Sequence, residues 1–129
     1  MSRREMRERI FQLLFRIEFH SKEELSEQLL YDADEGEDDA DAAYIREKTQ
    51  AVAEKAAELD GLINEIAKGW KTTRMGKVDL TLLRLAVYEI KFDDDIPTGV
   101  AINEAVELAK KYGTDDSSSF VNGILAKIA

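Results

Sequence analysis

The chain contains no cysteine, and in 129 residues it has only one proline, one histidine and one tryptophan. Without cysteine there is no disulfide framework and no thiolate to act as nucleophile or metal ligand. His20 stands alone, which leaves no histidine cluster for a metal and no Ser–His pair for nucleophilic catalysis. The seven glycines include no phosphate-cradling loop, since Gly36, Gly61, Gly69 and Gly76 are isolated from one another. No apolar run approaches the roughly 20 residues that span a bilayer, and the N-terminus lacks the apolar stretch of a signal peptide. The expectation is a cytoplasmic protein with no membrane association, no cofactor, no metal and no enzymatic activity.

What is present points to helices. Hydrophobic residues make up 44% of the chain, enough to build a core despite 35% charged residues. The scarcity of proline and the long Ala/Leu/Glu/Lys-rich stretches favour an all-α protein. Met6, Ile10, Leu13, Leu14 and Ile17 repeat at helical spacing. Ser21-Lys22-Glu23-Glu24 fits a capping box before a second helix bearing Leu25, Leu29 and Leu30. Ile45, Thr49, Val52, Ala56 and Leu59 predict a long third helix, ended by Asp60-Gly61. Leu62, Ile63, Ile66 and Trp70 mark a fourth. Asp79 is the expected cap of a fifth, "LTLLRLAVYEIKF", whose apolar density predicts burial on most sides. A sixth, "VAINEAVELAKKY", follows Thr98 or Gly99 and stops at Gly113. A seventh, capped by Thr114 or Asp115, buries Val121, Ile124, Leu125 and Ile128, and Gly123 within it suggests close helix approach. The result is about seven helices in a compact bundle with no strand.

The charge is uneven. Asp+Glu number 27 against 18 Lys+Arg, a formal net charge of −9, so the body of the protein should repel a phosphate backbone. Residues 32–41, "DADEGEDDAD", hold seven acids and read as an exposed, mobile loop. They do not form a calcium loop. That pattern needs acids one, three and five positions before the glycine, and Ala33 and Tyr31 occupy two of those places. Against this background "RREMRER" places four arginines in seven residues. On a helix Arg4, Arg7, Phe11 and Phe15 fall on one sector. Arginine interleaved with aromatics suits RNA, through phosphate contacts and base stacking. Equally, the two phenylalanines widen the core face and the arginines pair with Glu5, Glu8 and solvent. Phe120, lying off the stripe of Val121, Ile124 and Ile128, raises the same pair of readings: a stacking platform near a helix start, or a partly buried ring beside ordinary capping. Asn103 and Asn122 read as hydrogen-bonded packing positions, and Arg84 and Tyr88 as a semi-buried i, i+4 pair.

The stretch "IPTGVAINEAVELAKKYGTDDSSSFVNGILAKI" closely resembles the C-terminal signature of the NusB family of bacterial transcription antitermination factors. "VDLTLLRLAVYEI" resembles the helix before it, and "RREMRERIFQLLF" the family's arginine-rich start. The resemblance implies two small perpendicular bundles, three helices over residues 1–60 and four over 61–129. It implies no enzymatic activity, and binding of boxA RNA together with NusE, a ribosomal small-subunit protein. It further implies work with the RNA polymerase elongation complex and other Nus factors, chiefly in ribosomal RNA operons. The family's RNA-contacting segment falls on Arg3, Arg4 and Arg7, with Gln12 and Phe15 further along, and on Phe120 with Ser117. Its NusE-facing acidic surface falls on Asp79 and Asp116. Three departures stand out: Glu5 interrupts the arginine run, Phe15 replaces a common tyrosine, and Ser119 brings no charge beside Phe120. NusB-like domains also precede RNA methyltransferase domains, but no cofactor-binding βαβ pattern occurs in these residues. A helical protein–protein adaptor or a homodimerising bundle with incidental RNA binding is the alternative reading.

Overall fold

The computed structural model describes residues 1–17 and 39–128. Among these, six α-helices and one 3₁₀ turn are present and no strand: α1 (Arg3–Ile17), α2 (Asp39–Glu54), α3 (Ala56–Ile66), the turn Thr72–Arg74, α4 (Lys77–Phe92), α5 (Thr98–Tyr112) and α6 (Ser117–Ala126). The all-α class is as expected. The helix expected around Leu25–Leu30, the capping box at Ser21, His20 and residues 32–38 of the acidic stretch lie outside the described residues. The last of those acids, Asp39 and Asp41, belong to α2 rather than to a loop, and the charge of Asp41 near the helix start favours the dipole.

The chain forms two compact units, Met1–Glu54 and Lys55–Ala129. In the first, α1 packs on α2. Met6, Ile10, Leu13 and Leu14 are buried, with Ile45, Thr49 and Val52 on α2, following the predicted stripes. The buried Thr49 hydroxyl donates to the Ile45 carbonyl at 2.7 Å, which satisfies it inside its own helix. The α-amino group of Met1 pairs with Asp41 at 2.9 Å.

In the second unit α4 touches α3, α5 and α6. Leu80, Leu82, Leu83, Leu85, Ala86 and Val87 are all buried, so the helix is enclosed on most sides as its composition foretold. Arg84 reaches α3 and makes a bidentate pair with Asp60, both contacts at 2.7 Å. It therefore serves α3 rather than only its neighbour Tyr88, whose ring lies 5.7 Å from Phe92.

Several boundaries move. The break expected at Asp60-Gly61 falls at Lys55, where no glycine or proline announces it; Lys55 instead lays its ammonium over the Phe92 ring at 4.5 Å. Helix α3 runs through Gly61 because Leu59 and Ile63 are buried and Asp60 is held by Arg84 rather than capping a new helix. That helix then stops at Ile66. Gly69 takes φ +89, a conformation disfavoured for L side chains, and turns Trp70 out of the helix. Asp79 is not the cap of α4 but a first-turn residue behind Gly76. The cap position of α6 belongs to Asp116, not to Thr114 or Asp115. Asn103 and Asn122 are solvent-exposed rather than packed.

The glycines sort differently from expectation. A Cβ on Gly123 would meet nothing within 4 Å, whereas one on Gly113 would collide with the Ser117 side chain and come within 2.8 Å of the Ala109 carbonyl. The close approach is therefore at Gly113. Accordingly, Gly123→Ala should stabilise the protein by about 0.5–1 kcal/mol through helix propensity, while Gly113→Ala should destabilise it by about 1–3 kcal/mol through overpacking. Urea denaturation of the two variants checks this, and equal effects would contradict it.

Candidate functional site

The first candidate surface is the start of α1. Ser2 and Glu5 form a reciprocal capping box: the Ser2 hydroxyl accepts from the Glu5 N–H at 3.1 Å, and the Ser2 N–H donates to the Glu5 carboxylate at 3.2 Å. Two orphan donors of the helix end are thereby satisfied. Glu5 thus interrupts the arginine run for a structural reason. The Ser-x-x-Glu spacing is a signal that the sequence offered and that the arginines obscured.

Arg3 and Arg4 are exposed, and the Arg3 guanidinium lies over the Tyr44 ring of α2, 5.4 Å from its centroid. Lys48 approaches the same ring at 5.4 Å, and its ammonium donates to the Tyr44 hydroxyl at 3.3 Å. This tyrosine has no local sequence signal, because the contact spans two helices. Arg7 keeps only 6% of its surface and Phe11 only 2%, so the sector of Arg4, Arg7, Phe11 and Phe15 read from the helical wheel is divided. Arg4 is outside, Arg7 and Phe11 are inside, and Phe15 is half-buried, stacked on Phe11 at 6.0 Å. Gln12 is also half-buried. The reading of Phe11 as core is the correct one, and Arg7 is buried rather than projecting into solvent.

The second surface lies within the other unit. Trp70, Arg74, Met75, Gly76, Asp79, Asp116 and Phe120 line an open depression of about 180 Å³. The Trp70 and Phe120 rings meet edge to face at 5.4 Å and 75°, a geometry that favours both quadrupoles. The structure thus brings Asp79, Asp116 and Phe120 together, and adds Arg74 and Trp70, the latter placed on a helix by its spacing. Ser117 departs from expectation. It is buried, and its hydroxyl accepts from the Thr114 N–H at 2.9 Å and lies 3.3 Å from the Thr114 hydroxyl. Its role is to close the start of α6. Among the described residues no group of three or more His, Cys, Asp or Glu is arranged to hold a metal, and no helix is long and apolar enough to cross a membrane.

The sequence profile of the NusB family matches residues 4–129. The chain belongs to the NusB family. Transcription antitermination protein NusB of Agathobacter rectalis is 61% identical, with both chains covered completely. The solved NusB of T. maritima superposes with a TM-score of 0.88 at 40% identity, covering all of this chain and 91% of that one. A chain in a crystal structure of a plectonemic RNA supercoil superposes with a TM-score of 0.82 at 29% identity, over 98% of this chain and 92% of that one. Within this family member the two surfaces differ in character, one cationic and aromatic, the other aromatic and acidic.

The capping box generates a pH prediction. Glu5 has its pKa lowered, chiefly by the backbone hydrogen bond from Ser2 and then by the Ser2 hydroxyl. A depressed carboxylate pKa means the contribution to α1 is complete above the unfolded value and fades as pH falls through the folded one. In an NMR titration the Glu5 carboxyl should therefore titrate below a free glutamate, with the Ser2 amide following it. Glu5→Gln should remove that dependence, and a Glu5 titrating at the ordinary value would contradict the assignment.

Proposed function

We propose that this chain is a transcription antitermination factor of the cytoplasm, without catalytic chemistry, that binds boxA-type RNA together with NusE. On this reading it joins the elongating RNA polymerase with other Nus factors and suppresses premature termination, chiefly in ribosomal RNA operons. Family membership supports the antitermination role. The observation that carries the division of labour is electrostatic: a chain of net charge −9 presents Arg3 and Arg4 on an exposed helix end.

Arg3 and Arg4 are the proposed phosphate contacts, with Gln12 and Phe15 further along α1 and Phe120 in the second unit as stacking or edge contacts. Arg7, being buried, orients the helix, and Ser117 orients the start of α6. Asp79 and Asp116 face the basic protein. Two exposed guanidinium groups neutralise few phosphates, and binding strength depends on how many are neutralised. A basic ribosomal protein supplies the missing positive charge and is itself attracted to the acidic surface.

Fluorescence anisotropy with boxA and scrambled RNA, with and without NusE, tests this. The complex should bind boxA RNA at least about tenfold more tightly than the chain alone. Arg4→Glu should weaken binding and flatten its salt dependence. Equal affinities with and without NusE, or indifference to RNA sequence, would reduce the chain to a helical adaptor.

A further inference from the structure

We propose that Tyr44 and Lys48 of α2 join Arg3 of α1 in a site for one backbone phosphate of RNA, with the Tyr44 hydroxyl donating to the phosphate. The inference rests on the RNA half of the function proposed above and adds two residues of a second helix to it. The hydrogen bonding of Tyr44 is the first observation. Lys48 sits one turn further along α2, and its ammonium donates to the Tyr44 oxygen at 3.3 Å. That oxygen is therefore an acceptor toward Lys48, and its own proton has no acceptor among the described residues. A hydroxyl that accepts from an ammonium is polarised into a stronger donor. A phosphate oxygen is the acceptor that suits it.

The charge around that hydroxyl is the second observation. The Arg3 guanidinium and the Lys48 ammonium each lie 5.4 Å from the centroid of the same ring. Like charges gathered on one ring repel, and an anion held by both relieves the repulsion. Lys48 keeps only 6% of its surface, so packing holds it in place. Arg3 is exposed, as is Arg4 beside it. The acids on the same stretch of α2 do not cancel this charge. Asp41, one turn before Tyr44, is paired with the Met1 α-amino group at 2.9 Å. Glu47, one turn after it, is exposed and screened by salt.

The three residues have different tasks. Arg3 meets the phosphate charge, while Tyr44 holds the guanidinium over its ring and donates from its edge. Lys48 is a positioning residue, because it is buried and acts through the Tyr44 oxygen. A phosphate of a polyanion is preferred to a lone carboxylate, since Arg4 stands exposed on the same helix start to meet a neighbouring charge.

Anisotropy titrations of boxA RNA onto the chain bound to NusE, over a range of salt, test the site. Tyr44→Phe keeps the ring under Arg3 and removes only the hydroxyl. It should weaken RNA binding by about tenfold with an unchanged salt slope, because a neutral donor releases no counterion. Arg3→Gln should lower the slope by about 0.7, the value for one phosphate of a single strand. Lys48→Met keeps the apolar stem. It should weaken binding by about threefold in wild type and by less in Tyr44→Phe, since the two residues act together. Methylphosphonate replacement, one RNA linkage at a time, then finds the phosphate: at one linkage the loss should be smaller for Tyr44→Phe than for wild type. Helix content and NusE affinity should be unchanged in every variant. If Tyr44→Phe and Lys48→Met match a wild type that binds boxA RNA at every salt concentration, this inference falls and the proposed function stands. If wild type with NusE does not bind boxA RNA, both fall. Additive losses at every linkage, or reduced NusE affinity in Tyr44→Phe, would make Tyr44 a structural residue and overturn the proposal. If inorganic phosphate shifts the Tyr44 ring resonances while both variants keep full RNA affinity, the site takes a small anion only and the proposal is overturned.

Discussion

The enclosure of α4 is the constraint on which the second unit depends. Leu83 and Val87 retain no exposed surface, and the helix is touched by three others. Burying such side chains contributes about 1.5–3 kcal/mol each. Once α4 is fixed, its first turn fixes Gly76 and Asp79, and Arg84 fixes α3 through Asp60 at 2.7 Å. Helix α3 then ends where Gly69 adopts positive φ, and that turn presents Trp70. The depression is therefore lined by the turn that follows α3, the 3₁₀ turn and the first turns of α4 and α6.

The first unit uses helix-end chemistry for a different purpose. A cluster of arginines at a helix N-terminus opposes the helix dipole, which favours negative charge there. Glu5 and Ser2 compensate by closing the helix end with reciprocal hydrogen bonds, and Tyr44 offers its ring to Arg3. The acid that weakens the cationic patch electrostatically is the one that keeps the helix supporting it wound. An acidic protein can carry such a patch only locally, and its phosphate affinity is correspondingly modest without added positive charge.

How far the sequence disclosed this varies by residue and for physical reasons. Helix α4 was legible because ten of its sixteen residues are apolar and fall on most of its faces, and α5 ended at Gly113 as expected because no side chain fits against Ser117. The stripes Met6–Ile10–Leu13 and Val121–Ile124 were legible from spacing alone. The break at Lys55 was not, since it coincides with a contact to Phe92 that is distant in sequence. Trp70 looked helical because its spacing matched, and a single glycine at positive φ overrode the pattern. Asp79 and Phe120 were named through family resemblance. Their meeting with Trp70 and Arg74 is tertiary and had no local signature. Ser117 and Arg7 have the right chemistry for RNA but were buried by packing that periodicity does not resolve.

In the proposed division of labour RNA binds the cationic start of α1 and the basic protein binds the acidic, aromatic surface at the starts of α4 and α6. Amide hydrogen exchange of the chain free, with NusE, and with NusE plus boxA RNA tests it most directly. The account predicts that NusE protects residues 70–79 and Asp116, and that RNA added afterwards extends protection to residues 3–15 and to Phe120. RNA protection confined to the acidic surface, or NusE protection centred on the arginine helix, would contradict it.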